Sequence, residues 1–385
     1  MGGPHWEAEA LGETPGRSVR WGGVRNYLNQ FTLTYRPVGL SYVLYLYTMI
    51  FQKAHSLAID LGNTNTLLSD REHLLLNAPS VVIMDEDTHR VEAVGEKAYA
   101  MLDKTHQHLK SVRPLRGGVI SDGETAKKMM RELVRKVSTP SFLSRFDYLV
   151  SGVPFDTTPV EKRALRDTLN QFPARHTHLV YEPLAAALGM NLNIREPEGK
   201  LVVDIGGGIT EVVVISLSGV AAFQSVRVAG DAMDEEIQDY FRREHHLAIG
   251  LKTAEQLKKE LGCVYELLAS DTDERLVKGK DLREGIPATR WIRQSELCRV
   301  LDRPFRQIET CIHQSLETCP PELAGDIYRT GMFVTGGHAR LKGLPERFHK
   351  LFQIPVHVDP QALLSVSKGI AHILNRPAEF RSVLM

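Results

Sequence analysis

Leu201-Val202-Val203-Asp204-Ile205-Gly206-Gly207-Gly208-Ile209-Thr210 is the stretch on which the reading of the fold turns. A short apolar run bounded by turn residues reads as a buried strand. Here the run ends on an acid, breaks at three glycines and resumes as a strand over Glu211–Leu217. The same design occurs upstream at Leu57-Ala58-Ile59-Asp60-Leu61-Gly62-Asn63-Thr64-Asn65-Thr66. A third version lies downstream at Met332-Phe333-Val334-Thr335-Gly336-Gly337-His338-Ala339.

Glycine turns let backbone N–H groups approach phosphate oxygens without a Cβ in the way, and Thr or Asn side chains add donors. An Asp at the strand end suits a hydrated Mg²⁺, which keeps several waters and takes few carboxylates. The two Asp-led loops, about 144 residues apart, therefore predict two β-hairpins closing on one nucleotide from opposite sides. Any one of these turns alone is equally a plain hairpin turn or a helix cap. Their order and spacing together are more specific. The chain has no G-x-x-x-x-G-K-[ST], no strand–G-x-G-x-x-G–helix, no G-x-S-x-G and no H-E-x-x-H.

Outside these loops the chain reads as an ordinary globular protein. Its 385 residues carry 47 Lys+Arg against 47 Asp+Glu, with 43% hydrophobic and 24% charged residues. That excludes a disordered chain, a collagen repeat and a coiled-coil rod, and gives no basic excess for nucleic acid. The length predicts two or more subdomains. Cys263, Cys298, Cys311 and Cys319 form no C-x-x-C pair, so free thiols in a reducing compartment are expected rather than zinc. The pairs His106/His108, His176/His178 and His245/His246 have metal-binding residue types but no accompanying cysteine or carboxylate cluster, and read as surface polar residues.

Residues 1–36 are rich in Gly, Arg and Glu, and the apolar run Val38–Phe51 that follows is 14 residues long. A membrane span needs roughly 18–20, and a signal peptide would carry its charges at the start of the chain. Insertion of this run into a membrane surface is one reading. Translation from Met49, with residues 1–48 as an upstream extension, is another.

The motifs resemble the actin-like ATPase superfamily, and within it the bacterial MreB family. The resemblance is carried by DLGNTNTLL, VRPLRGGVISD, EPLAAALGMNLNIREPEGKLVVDIGGGITEVVVISL, VRVAGDAMDEEIQDYF, AIGLKTAEQLKKELG and FVTGGHARLKGLPERF. It spans about Met49 to Leu374 and favours Met49 as the start. It implies an α/β, actin-like ATPase fold with two related α/β domains, each bearing a smaller subdomain, around a nucleotide cleft. The first large subdomain would comprise residues 49–80, 120–192 and 366–385, and the first small one 81–119. The second large subdomain would comprise 193–229 and 292–365, and the second small one 230–291.

By the same resemblance Asp60 and Asp204 would serve Mg²⁺ through water, and Asp204 also the attacking water. Asn63, Thr64 and Asn65 would meet the β- and γ-phosphates, and Gly206, Gly207 and Gly208 would hold them from the other side. Glu255, Gln256, Leu257 and Lys258 would reach the adenosine, and Gly336, Gly337, His338 and Ala339 would wrap it. Glu182 matches the glutamate that orients the attacking water. Read from the residues alone, Glu182 is a helix N-terminal acid ahead of Pro183.

Two departures from the family pattern bear on hydrolysis. Ile209 stands where a threonine is usual, and Thr210 points to the other face of its strand. His338 replaces a glycine, which puts a side chain against the nucleotide. The implied activity is ATP hydrolysis coupled to filament assembly in the cytoplasm, at the inner face of the cell membrane. The implied partners are further copies of the chain, the membrane and the cell-wall elongation machinery, with rod shape as the outcome. A plasmid-partition or organelle-aligning filament is the nearest alternative. A nucleotide-gated chaperone lacks room for its substrate domain here, and a sugar kinase lacks its sugar-pocket insertion.

Overall fold

The computed structural model describes residues 56–104, 108–138 and 145–385. The apolar run at Val38–Phe51, the alternative start at Met49 and His106 lie outside the described residues.

Two five-stranded sheets share one topology. The first contains β1 (Leu57–Leu61), β2 (Asn65–Ser69), β3 (Leu74–Pro79), β9 (Phe146–Val153) and β10 (Ala174–Tyr181), in the order β3-β2-β1-β9-β10. The second contains β11 (Lys200–Ile205), β12 (Thr210–Ser216), β13 (Gly219–Val226), β17 (Met332–Thr335) and β18 (Val356–Val358), in the order β13-β12-β11-β17-β18. In each, three antiparallel strands form a meander and the first of them pairs in parallel with a later strand. The outer edge of β10 is covered by the chain's end, where Leu179 and Met385 exchange backbone hydrogen bonds.

Three smaller sheets sit between these elements in sequence. One joins β4 (Val82–Asp85), β5 (Val91–Val94) and β6 (Leu109–Val112), and another pairs β7 (Leu115–Arg116) with β8 (Val119–Ile120). The third joins β14 (Leu247–Ala248), β15 (Glu274–Asp281) and β16 (Pro287–Arg293). β16 continues two residues past the expected subdomain boundary at residue 291.

The described helices are α1 (Glu96–Met101), α2 (Gly123–Val137), α3 (Pro159–Leu169), α4 (Glu182–Gly189), α5 (Gly230–Glu244), α6 (Leu251–Leu261), α7 (Gln294–Glu317), α8 (Pro321–Thr330), α9 (Leu344–Phe352) and α10 (Ser365–Asn375). α2 starts where the Asp122 side chain accepts the Thr125 N–H, and it buries Ala126, Met129, Met130, Leu133 and Val134, the apolar stripe of its sequence. α3 opens with a Thr158/Glu161 capping box and Pro159 in its first turn. It ends at Leu169, and the C-cap Asn170 N–H still bonds the Arg166 carbonyl.

One apolar core joins the two large sheets. Ala58, Val150 and Val180 from the first meet Val202, Val213 and Ile215 from the second, with α4 and α10 between them. The two helices cross at contact distance through small residues. A Cβ added at Gly189 would lie 1.8 Å from the Ser365 carbonyl oxygen, and one at Gly369 would lie 1.7 Å from that of Ala185. Close packing of this kind fixes α4 against α10, and α4 begins at Glu182. No helix among the described residues is long and apolar enough to cross a membrane.

Candidate nucleotide site

The two Asp-led loops are the same hairpin built twice. Asp60 pairs with Leu67 and Leu61 with Thr66, while Asp204 pairs with Glu211 and Ile205 with Thr210. Each turn is closed by a glycine amide, Gly62 N–H to Asn65 O at 3.1 Å and Gly206 N–H to Ile209 O at 3.0 Å. The tips meet head-on. A Cβ at Gly207 would lie 2.2 Å from Thr64 Oγ1, and one at Gly208 would lie 1.9 Å from Asn63 Nδ2, so a side chain at either place must displace the opposite tip's side chain.

The third turn closes the other side. Gly336 has φ +86, and a Cβ there would lie 2.4 Å from Asp204 Oδ1 and 2.3 Å from the Ile205 carbonyl oxygen. Both the backbone conformation and the space demand glycine. His338 lines the cavity and is also tied to the second hairpin. Its Nδ1 lies 2.7 Å from the Gly206 carbonyl oxygen, and its ring packs on Gly230. Burial and the nearby Lys258 ammonium push its pKa down to about 3. The ring is therefore neutral at physiological pH, and donates from Nδ1 to pin the third turn to the second hairpin.

These loops enclose a cavity of about 490 Å³. Of the sequence-derived residues it is lined by Asp60, Asn63, Thr64, Asn65, Glu182, Asp204, Gly206, Gly207, Gly208, Glu255, Lys258, Gly336, Gly337 and His338. Three others fall outside it. Gln256 is exposed and donates to Glu260, Leu257 packs in the core of the second half, and Ala339 is buried in that same core. The helical period explains this: on α6 the cavity side carries Glu255, Lys258 and Lys259, so the residues between them face elsewhere.

The Asn63 side chain lines the cavity and also has protein partners. Its carbonyl oxygen accepts the Gly118 N–H at 2.8 Å and its amide donates to Asp231 Oδ2 at 3.2 Å. Arg113 reaches the other Asp231 oxygen at 3.2 Å. The Asn63 side chain is thus a strut across the cleft. Arg113, Gly118, Asp231 and Asp234 line the cavity and were not singled out from the sequence. The segments VRPLRGGVISD and VAGDAMDEE held them, and no local pattern marks which of their residues face a ligand.

The cavity is acidic at one end. Burial, and then the neighbouring Asp204, push Asp60 up to about 7, and burial pushes Asp204 up to about 6. Glu182 is raised well above the ordinary carboxylate range by burial and then by Asp60, Glu211 and Asp204. Glu211, 2% exposed, stands beside Asp204 on the next strand and accepts the Phe155 N–H at 2.7 Å. Burial raises it to about 8. Crowded carboxylates of this kind are relieved by a cation. Among the described residues no three acidic, His or Cys side chains are placed to hold a metal directly. At the opposite end Lys258 pairs with Asp234 at 2.8 Å and donates to the Gly230 carbonyl at 2.7 Å. Together these groups offer backbone amides for phosphates, carboxylates for a hydrated cation, and α6 as a wall for the rest of a nucleotide.

The MreB/Mbl protein family model matches residues 54–382. The chain belongs to the MreB/Mbl family. It is 39% identical over 321 residues to the cell shape-determining protein MreB of Escherichia coli (strain K12), covering 82% of this chain and 92% of that protein. It is 34% identical over 320 residues to the cell shape-determining protein Mbl of Bacillus subtilis (strain 168), covering 82% and 95%. Its structure resembles that of MreB5 of Spiroplasma citri bound to AMPPNP, with a TM-score of 0.81 and 31% identity over 86% of this chain and 98% of that one. As in other MreB/Mbl proteins, the fold is the actin-like ATPase fold, and each large sheet carries one of the twice-built hairpins.

Cys263, Cys298, Cys311 and Cys319 are free thiols, all buried. His108 pairs with Asp87 at 2.9 Å, and His176 and His178 stack with Tyr148.

Proposed function

We propose that this chain is an ATP-dependent filament protein that helps set rod shape by organising cell-wall synthesis at the inner face of the cytoplasmic membrane. The observation that carries the nucleotide reading is the meeting of two Asp-led hairpins of the same register over one cavity. The membrane and the cell-wall elongation machinery as partners, and the division into residues 49–80, 120–192 and 366–385, 81–119, 193–229 and 292–365, and 230–291, belong to the same proposal.

In this reading the amides of Gly62–Asn65 and Gly206–Ile209 receive the β- and γ-phosphates from opposite sides. Asp60 and Asp204 hold a hydrated Mg²⁺, whose charge offsets that of the phosphates. Glu182, projecting from the first turn of α4, orients the water for in-line attack. Ile209 lines the cavity without a hydroxyl, and the Thr210 hydroxyl is committed to the Val228 carbonyl at 2.7 Å. One water-positioning donor is therefore missing, and hydrolysis is slow. ATP bridges the two halves and favours the closed form, and the closed form polymerises.

Calorimetric titration with ATP in Mg²⁺ tests the site. One ATP per chain is expected, and Gly207→Val, whose side chain runs into Thr64, abolishes uptake. A folded wild type that takes up no ATP would sink the reading.

A further inference from the structure

Helix α6 supplies Glu255, Lys258 and Lys259 to the cavity, yet its own N-terminus has no side-chain cap. Its N-cap is Gly250, and a helix start without a capping oxygen leaves backbone N–H groups unsatisfied. The missing oxygen comes from a residue about 150 positions away. Asp103, just beyond α1, accepts the Lys252 N–H through Oδ2 at 3.2 Å. The fit is close: a Cβ on Gly250 would lie 2.6 Å from that same oxygen. Asp103 has φ +61, a conformation that Asp and Asn tolerate better than most residues. The carboxylate also sits where the helix dipole favours a negative charge.

Two further contacts cross at the same place. The Tyr99 hydroxyl, from α1, donates to Glu255 Oε2 at 2.6 Å, while Lys259 holds Oε1 at 2.6 Å. The Lys252 ammonium lies 4.8 Å from the centre of the Tyr99 ring. α1 packs with β4 and β5 of the first small sheet, and α6 packs with β15 of the second. A helix that shapes the nucleotide cavity is therefore capped and aligned from across the cleft.

We propose that Asp103 and Tyr99 form a clasp between the two small sheets, which completes α6 only when the cleft is closed and slows release of the bound nucleotide. Both act as positioning residues: they touch α6 and Glu255 rather than the ligand. Opening the cleft uncaps α6 and frees Glu255, so the wall of the cavity loosens as the halves part. Rebinding then requires the helix start to be rebuilt. The release step rests on the nucleotide reading above; the closure step does not.

Two measurements on the full chain separate them. The first is release of a fluorescent ATP analogue by stopped flow in Mg²⁺. A hydrogen bond to a charged partner supports an effect of about tenfold. Tyr99→Phe keeps the ring and loses the hydroxyl, and Asp103→Gly removes the cap while fitting the positive φ. Each is expected to speed release by about that factor. Asp103→Asn, which keeps an acceptor oxygen, is expected to release close to the wild-type rate, which separates loss of the capping hydrogen bond from loss of the charge. The second is the nucleotide-free distance between spin labels at Arg90→Cys and Glu284→Cys, exposed turns of the two small sheets. The combined Tyr99→Phe and Asp103→Gly chain is expected to show a longer and broader distance than the parent. Unchanged release together with an unchanged distance overturns the clasp. A wild type that binds no analogue defeats the nucleotide reading alone, and the distance arm still decides whether the clasp exists.

Discussion

In the proposed mechanism Glu182 and Ile209 divide the chemistry of the site between them. Glu182→Ala is expected to leave ATP binding intact and to lower phosphate release about 100-fold, since a positioned general base contributes on that scale. Unchanged turnover would remove Glu182 from the mechanism. Ile209→Thr restores a hydroxyl to the cavity wall and is expected to speed single-turnover hydrolysis by about tenfold. No gain would mean that another group positions the water. The buried acids make a separate prediction for the nucleotide-free protein in chelator. Asp204, Asp60 and Glu211 have pKa values raised by burial to about 6, 7 and 8, against unfolded values of 3.8 for Asp and 4.5 for Glu. Between those limits the folded state holds more protons than the unfolded one, so stability falls as pH rises. The melting temperature is expected to drop from pH 5.5 to 8.5, and Mg²⁺ with ATP to flatten the slope; a rising or flat profile in chelator would contradict it. At this scale the sequence was informative about residue type and blind to partners. Asp60, Asp204 and the glycines announce themselves as strand ends and turns. Asn63 looks like a phosphate donor, and only the fold reveals that Asp231, 168 residues away, already holds its amide.

Hairpins and helices were legible wherever the signal was local. Both Asp-led hairpins, the T-G-G turn and the apolar stripe of α2 depend on neighbours within a few residues, and each forms where its pattern places it. The start of α6 was not legible at the same level. The pattern predicts a helix over Thr253–Leu261, and the helix begins at Leu251 because Asp103 caps it from elsewhere in the chain. Its end at Gly262 was legible for a different reason than the usual one. Gly262 is extended rather than left-handed, and glycine is needed because a Cβ would lie 2.2 Å from the Lys258 carbonyl oxygen. The third turn gives this scale its prediction. Gly336→Ala forces a side chain onto Asp204 in a positive-φ conformation, and is expected to cost about 2–3 kcal/mol in denaturant unfolding. A loss below about 0.5 kcal/mol, the range of an ordinary surface change, would show that the turn relaxes and is not a fixed wall.

Across the whole molecule, the repeated sheet topology is what would turn nucleotide binding into a mechanical event under the proposed function. Each half brings one Asp-led hairpin to the cavity, and a shared core under α4 and α10 joins the halves below it. A ligand held by both hairpins therefore biases the angle between the halves, and any contact between copies that depends on that angle follows. The family resemblance was readable from motifs spread over the chain, but composition carried none of it: balanced charge excluded broad nucleic-acid binding and said nothing of the cleft. The coupling of the cavity to assembly is the central claim, and sedimentation of the purified chain under different nucleotide conditions tests it most directly. The chain is expected to pellet with ATP and Mg²⁺, to pellet less with ADP, and to stay in the supernatant in chelator. An equal pelleted fraction in all three, or none in any, would contradict the account.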